Sequence, residues 1–237
     1  DVYKRQVINM KRPIIQKLNH LIENKAISMH VPGHKNMTIG YLNRLDLAMD
    51  MTEITGLDDM HYPEGIILKS MENFRKHKNY DAFLLVNGTT SGILSVIQAF
   101  STRKGKYLIS RNVHKSVFHG LDITQQQATI TKTDVSKKTN QYVNPKINQD
   151  KNQYYKLAIC TYPNYYGETF DISQYIKQLH HRGIPILVDE AHGAHFGLDG
   201  FPESSMNFNA DYVVQSYHKT LPALTMGSVI YLSLIHI

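Results

Sequence analysis

Lys219 stands in the segment Ser216-Tyr217-His218-Lys219-Thr220, a few residues after the apolar run Tyr212-Val213-Val214 and just ahead of Leu221-Pro222-Ala223-Leu224. Such neighbours do not make a solvated helix face. An amine among them, beside other cations, is expected to lose proton affinity and become a usable nucleophile. Upstream, Asp189 ends the apolar run Ile186-Leu187-Val188 and leads into Glu190-Ala191-His192. A carboxylate at the end of a buried run is costly unless a cation or hydrogen-bond donors meet it. Earlier still, Asn87-Gly88-Thr89-Thr90-Ser91-Gly92 follows one apolar run and opens a helical one. Its free backbone N–H groups, its hydroxyls and the helix dipole could hold a dianionic phosphate. An amine, an anion and a phosphate cradle are what pyridoxal 5'-phosphate (PLP) needs: the amine meets its aldehyde, the anion keeps its pyridine nitrogen protonated, the cradle fixes its place. Taken singly, each has a plainer reading as a solvated lysine, a turn-capping aspartate or an ordinary helix N-cap.

The elements that must bring these groups together are legible from residue 80 onward. Short apolar runs rich in β-branched and aromatic residues occur at 82–86, 106–110, 128–130, 157–162, 185–189, 212–216 and 227–231. Helical segments lie between several of them, which predicts an α/β fold with a mainly parallel seven-stranded sheet covered by helices on both faces. In such a sheet ligands gather beyond the carboxyl ends of the strands, where Asn87, Tyr162, Asp189 and Ser216 all fall. The clearest helix spans 171–181, with Ile172, Tyr175, Ile176 and Leu179 on one face, Asp171 as cap and Gly183 as stop. A second amphipathic helix is predicted over 7–26. Residues 30–35 and 52–65 read as polar loops, and 134–152, rich in Lys, Asn and Gln, as an exposed excursion without periodicity.

Composition narrows the class. No run of 18 apolar residues exists, so no helical membrane span is expected. Cys160 is the sole cysteine, which excludes a disulfide within the chain and fits a reducing, cytoplasmic setting. The net charge of +6 is scattered in short clusters such as Lys137-Lys138, so no nucleic-acid partner is expected. His192 and His195 with Asp189 and Glu190 could ligate a metal, as in a hydrolase, but His30 and His34 enclose Pro32-Gly33 and do not share a helix; no metal site is expected.

Both ends carry a signature of another kind. Residues 1–6 (DVYKRQ) can be encoded by GATGTGTATAAGAGACAG, whose reverse complement encodes LSLIHI, residues 232–237. The expectation is that both ends are translated adapter sequence flanking a gene fragment. The domains expected are a helical and loop segment over 7–79 and a cofactor-binding large domain over 80–231, with a C-terminal small domain missing and the fragment inactive as written.

HVPGHK at 30–35, TEITGLDD at 52–59, PEGII at 63–67, NGTTSG at 87–92, RNVHKS at 111–116, YPNYYG at 162–167, DEAHGAHFG at 189–197 and SYHK at 216–219 follow one another in order. On these motifs the chain resembles the Orn/Lys/Arg decarboxylase family of fold-type I PLP enzymes, in the short form without an N-terminal wing domain. The resemblance implies decarboxylation of lysine, arginine or ornithine to the corresponding amine. It implies that Lys219 binds the cofactor covalently, Asp189 faces its pyridine nitrogen, and Thr89, Thr90 and Ser216 take its phosphate. His114 would stack on the cofactor ring and His218 would handle protons beside the lysine, while the role of His192 is left open. A homodimer or larger assembly is implied, with the His30 and Glu53 loops serving a neighbour's pocket. Glu53, Asp58, Asp59 and Glu64 form the loop-borne carboxylate cluster that could meet a basic side chain. An aminotransferase, a β-eliminating lyase or a nonenzymatic PLP-binding scaffold would keep Lys219 and Asp189 but release no CO2.

Overall fold

The computed structural model describes Glu23 and residues 58–147 and 153–235. Of the helix expected over 7–26, Glu23 is described and is helical; the rest of it, the loop at 30–35 with His30, and Glu53 lie outside the described residues.

Among the described residues from 58 onward, nine strands alternate with five α-helices. In chain order they are α1 (Ile66–Asn73), β1 (Tyr80–Leu85), α2 (Gly88–Ser101), β2 (Lys106–Ile109), α3 (Lys115–Ile123), β3 (Ala128–Ile130), β4 (Lys132–Val135), β5 (Tyr142–Lys146), β6 (Tyr155–Thr161), α4 (Ile172–His181), β7 (Ile186–Glu190), β8 (Tyr212–Ser216), α5 (Tyr217–Thr220) and β9 (Ser228–Ser233). Seven strands form one sheet in the order β1-β9-β8-β7-β6-β2-β3. Pairings from β8 to β3 are parallel, and β9 runs antiparallel to both its neighbours. These are the seven runs predicted from the sequence. The last two residues of β9, Leu232 and Ser233, pair with Asp81 and Tyr80 although they fall in the stretch read as adapter-derived. A strand end pairs through its backbone, which is indifferent to the origin of its side chains.

Successive side chains of a strand point to opposite faces, and the central strands divide accordingly between two cores. Ala158, Cys160, Ile186, Val188 and Val213 pack on one face with Ile172, Tyr175, Ile176 and Leu179 of α4. Leu157, Ile159, Leu187 and Val214 pack on the other with Ile93, Val96, Ile97 and Phe100 of α2 and Val117 and Leu121 of α3. Continuous apolar runs are therefore required in the middle of the sheet, because both faces are covered.

Helix ends are set by specific residues. Asp171 caps α4 by accepting the Gln174 N–H at 2.9 Å. At its other end Gly183, at φ +66°, allows Gly183 N–H to reach His180 O and Ile184 N–H to reach Leu179 O. That left-handed turn suits glycine. Gly92 lets α2 lie close to the sheet: a Cβ there would stand 2.8 Å from Leu85 Cδ1 and 3.0 Å from Val214 Cγ1. At the far end of α2, the buried Lys156 of β6 donates to Ser101 O at 3.2 Å, Arg103 O at 2.9 Å and Gln126 Oε1 at 2.5 Å.

One region differs from expectation. The polar stretch predicted as an irregular excursion contains an antiparallel ribbon of β4 and β5. Its register shifts between Thr133 and Asp134 and Pro145 sits in one strand, so no alternation survives to announce it. Ser136 and Thr139, in its turn, donate to Glu168 at 2.5 Å each and fasten the ribbon to the loop after β6.

Candidate active site

A cavity of about 350 Å³ opens at the carboxyl edge of the sheet. Thr89, Thr90, His114, Asp189, Ser216, His218 and Lys219, the residues singled out from the sequence, all line it. Each is delivered by the end of a strand or the start of the helix that follows, so the parallel strand order alone gathers groups more than a hundred residues apart.

Helix α2 brings its N-terminus to this cavity. Asn87 occupies the cap position without a side-chain cap bond, and Ser91 Oγ turns back to Gly88 O at 2.8 Å. The first-turn N–H groups, which no helix can satisfy internally, are left beside the Thr89 and Thr90 hydroxyls. The donor set is that of an anion site.

Asp189 is 3% exposed and accepts a hydrogen bond from Ala191 N–H at 3.1 Å. Burial pushes its carboxyl above the usual range, against the opposing pull of the Ala191 N–H, Lys219 and His114. A carboxylate so placed is under-satisfied and is best relieved by a cation. Lys219, in α5, shows the mirror effect: burial lowers its ammonium below the ordinary lysine value and Asp189 partly restores it. The Lys219 Nζ lies 3.4 Å from His192 Nε2. His192 is held down to about 4 by burial first, then by Lys219 and His114, so its ring is neutral near pH 7.

His114 caps α3. Its Nδ1 accepts from Ser116 N–H at 3.3 Å and lies 2.9 Å from Ser116 Oγ, which assigns the ring proton to Nε2. Burial is the main cause of its lowered proton affinity, so it presents an uncharged flat ring. His218 Nδ1 lies 3.2 Å from Gly227 O and 3.1 Å from Ser216 Oγ. Ser216 itself is fully buried.

Sequence reasoning left His192 open and did not select Asn112, Thr161 or Tyr165, which also line the cavity. Asn112 and Thr161 lie at or just past strand ends, the same positional signal that marked Asp189. Tyr165 packs edge-on to His192, with ring centroids 5.4 Å apart. His195 lies apart from His192, stacked edge-on against Phe201 and Phe196. Among the described residues no three His, Cys, Asp or Glu side chains are grouped to hold a metal.

The loop carboxylates have their own tasks. Asp58 accepts N–H groups from Glu64, Gly65, Ile67 and Asp59, and these backbone donors, that of Glu64 foremost, hold its carboxyl well below the usual range. Asp59 accepts the His61 N–H at 2.7 Å. Both oxygens of Asp58 are thus spent on shaping the loop ahead of α1, which leaves Glu64 as the exposed, uncommitted carboxylate among the described members of the cluster.

Comparison with known proteins agrees with this architecture. Residues 12–236 match the family model described as Orn/Lys/Arg decarboxylase, major domain. An uncharacterized protein YaaO of Bacillus subtilis (strain 168) is 39% identical over 94% of this chain and 49% of its own length. An arginine decarboxylase of Bacillus cereus is 29% identical over 92% of this chain and 50% of its own. The chain thus spans about half the length of the curated relatives it matches. The aminotransferase AspB of Helicobacter pylori superposes with a TM-score of 0.59 at 12% identity, covering 76% of this chain and 52% of that one, a likeness of fold. The mostly parallel seven-stranded sheet with helices on both faces is the α/β architecture of fold-type I PLP enzymes.

Proposed function

Because the chain belongs to the Orn/Lys/Arg decarboxylase family, we propose that it carries the cofactor site of an enzyme that removes CO2 from a basic amino acid, lysine, arginine or ornithine, with PLP. The observation that carries this reading is the convergence in one cavity of Lys219, the under-satisfied Asp189 and the uncapped N-terminus of α2. These residues fit PLP: a buried carboxylate short of partners, an amine whose proton affinity burial lowers, and an anion cradle of backbone donors and hydroxyls. Bound PLP supplies an electron sink for the substrate's α-carbon.

The protein's part is placement and proton handling. Thr89, Thr90, Ser216 and the first-turn N–H groups of α2 would hold the phosphate. Asp189 would meet the pyridine nitrogen in its protonated form and so regain the ionised state that burial opposes. His114, neutral and flat, would stack on the ring. Lys219 would hold the cofactor through its side-chain amine and give way there to the substrate's α-amine, and His192, neutral, stands 3.4 Å from that amine. With the cofactor bound, CO2 would leave its bonding pair on the substrate's α-carbon, and His218 or Lys219 would return a proton to that carbon. Glu64, or Glu53 outside the described residues, is the partner proposed for the substrate's distal cation. We place the reaction in a cytoplasmic homodimer.

The test is to prepare the protein with PLP, both as this chain and as the intact gene product of its source genome. CO2 release would then be measured from lysine, arginine and ornithine. Expected are a visible absorption band discharged by borohydride, with the label on Lys219, and CO2 from one of the three in the intact product. A band with amino-group transfer and no CO2 would replace decarboxylation with an aminotransferase; no band at all would end the PLP reading.

A further inference from the structure

Behind the cofactor cavity, on the opposite face of the sheet, lies a second polar cluster with no place in the chemistry above. Glu190, wholly buried, accepts Ser205 N–H at 2.5 Å, Ser204 Oγ–H at 2.9 Å and Gln215 Nε2–H at 2.6 Å. Gln215 is buried too and is the register partner of Glu190 across β7 and β8. Its amide oxygen accepts from Lys76 Nζ at 2.8 Å, and the same Nζ donates to Ala194 O at 2.8 Å. Lys76 Nζ also stands over the Tyr217 ring, 5.1 Å from its centroid.

These contacts bear on the site through chain connectivity. Glu190 follows Asp189, Gln215 precedes Ser216, Tyr217 is two residues from Lys219, and Ala194 follows Gly193, whose N–H donates to Glu190 O at 2.8 Å and closes the turn that carries Ala191 and His192. One ammonium group therefore touches the three segments that deliver the pyridine partner, the phosphate hydroxyl and the amine, each from the side away from the ligand. An amide between a cation and an anion must point its oxygen at the first and its N–H at the second, so the cluster has one arrangement rather than several.

We propose that Lys76, acting through Gln215 and Glu190, is a positioning residue that fixes Asp189, Ser216 and Lys219 relative to one another. This rests on the PLP reading above. Small displacements of reacting groups are expensive: an error of about 1 Å can cost roughly a hundredfold in rate.

The experiment compares wild type with Lys76→Met in the intact holoenzyme. It measures the rate per borohydride-trapped cofactor, the visible circular dichroism of the bound cofactor and the melting temperature. Lys76→Met is expected to keep its cofactor while kcat falls about tenfold or more, KM changes less than about threefold and the dichroic band changes amplitude. A lower melting temperature with wild-type kcat per bound cofactor and an unchanged dichroic band would reduce Lys76 to a structural role and overturn the proposal. If Lys76→Met does not fold, Gln215→Met decides by the same readouts, since it leaves the ammonium in place and cuts its tie to β8. Absence of any cofactor band in wild type would instead mark failure of the PLP reading itself, because the control precedes every variant.

Discussion

Asp189 and Glu190 are neighbours in β7 and both are buried, yet the two faces of the sheet treat them in opposite ways. Glu190 is met by a backbone N–H, a hydroxyl and an amide that is itself held by Lys76. Asp189 has the Ala191 N–H. Burial raises the proton affinity of both carboxyls, but Glu190 is opposed by hydrogen bonds from Ser205, Gln215 and Ser204, whereas Asp189 has one such bond, from Ala191 N–H. A closed polar network is a finished piece of structure, whereas an open one at the edge of a cavity is an invitation to a ligand.

The sharpest way to test the open side is Lys219→Ala, which should abolish the borohydride-sensitive absorption and lower the rate by at least about 10²-fold. Turnover with a label on another lysine would move the site elsewhere. Asp189→Asn keeps the shape but not the charge; cofactor should remain while decarboxylation drops by roughly 10² to 10³. Normal turnover would make Asp189 a turn cap.

Without cofactor the ranking should invert. Glu190→Gln leaves donors facing a donor in a sealed network and is expected to cost about 3 kcal/mol in denaturant unfolding. Asp189→Asn in the cofactor-free protein should be neutral or stabilising within about 1 kcal/mol, since it removes a desolvated charge. Equal losses in the two variants would erase the distinction between the faces. A pH series refines it. An acid whose folded-state value is raised binds more protons folded than unfolded, so its contribution is present at low pH and lost as pH climbs through that raised value. Cofactor-free wild type should thus lose stability as pH rises above the ordinary aspartate value of 3.8, and Asp189→Asn should lose less. The smallest effect is expected far from both faces: Asp171→Ala, which removes the cap of α4, should cost about 1 kcal/mol and leave cofactor binding unchanged.

Much of the open side was legible in the sequence because its groups sit at strand ends inside short motifs, where local pattern and location coincide. The seven strands were legible for a related reason: strands covered on both faces read as uninterrupted apolar runs. The β4 and β5 ribbon was not, since one side faces solvent and a register shift with Pro145 removes the alternation. The closed network was hidden for a different reason. Lys76 and Gln215 are 139 positions apart and belong to no common motif, so only the packed fold shows that they touch. Asp58 misled by composition; a carboxylate in an acidic loop looks free until its backbone donors are seen.

Lys156 carries a consequence that reaches across the domain. Its ammonium earths the carboxyl end of α2, so the negative pole of that helix is discharged inside the protein while the positive pole stays live at the cavity. A rod with one terminal grounded presents its remaining terminal undiluted. An anion held beside Thr89 and Thr90 would thus be favoured from the far end of the helix, by a side chain that does not line the cavity.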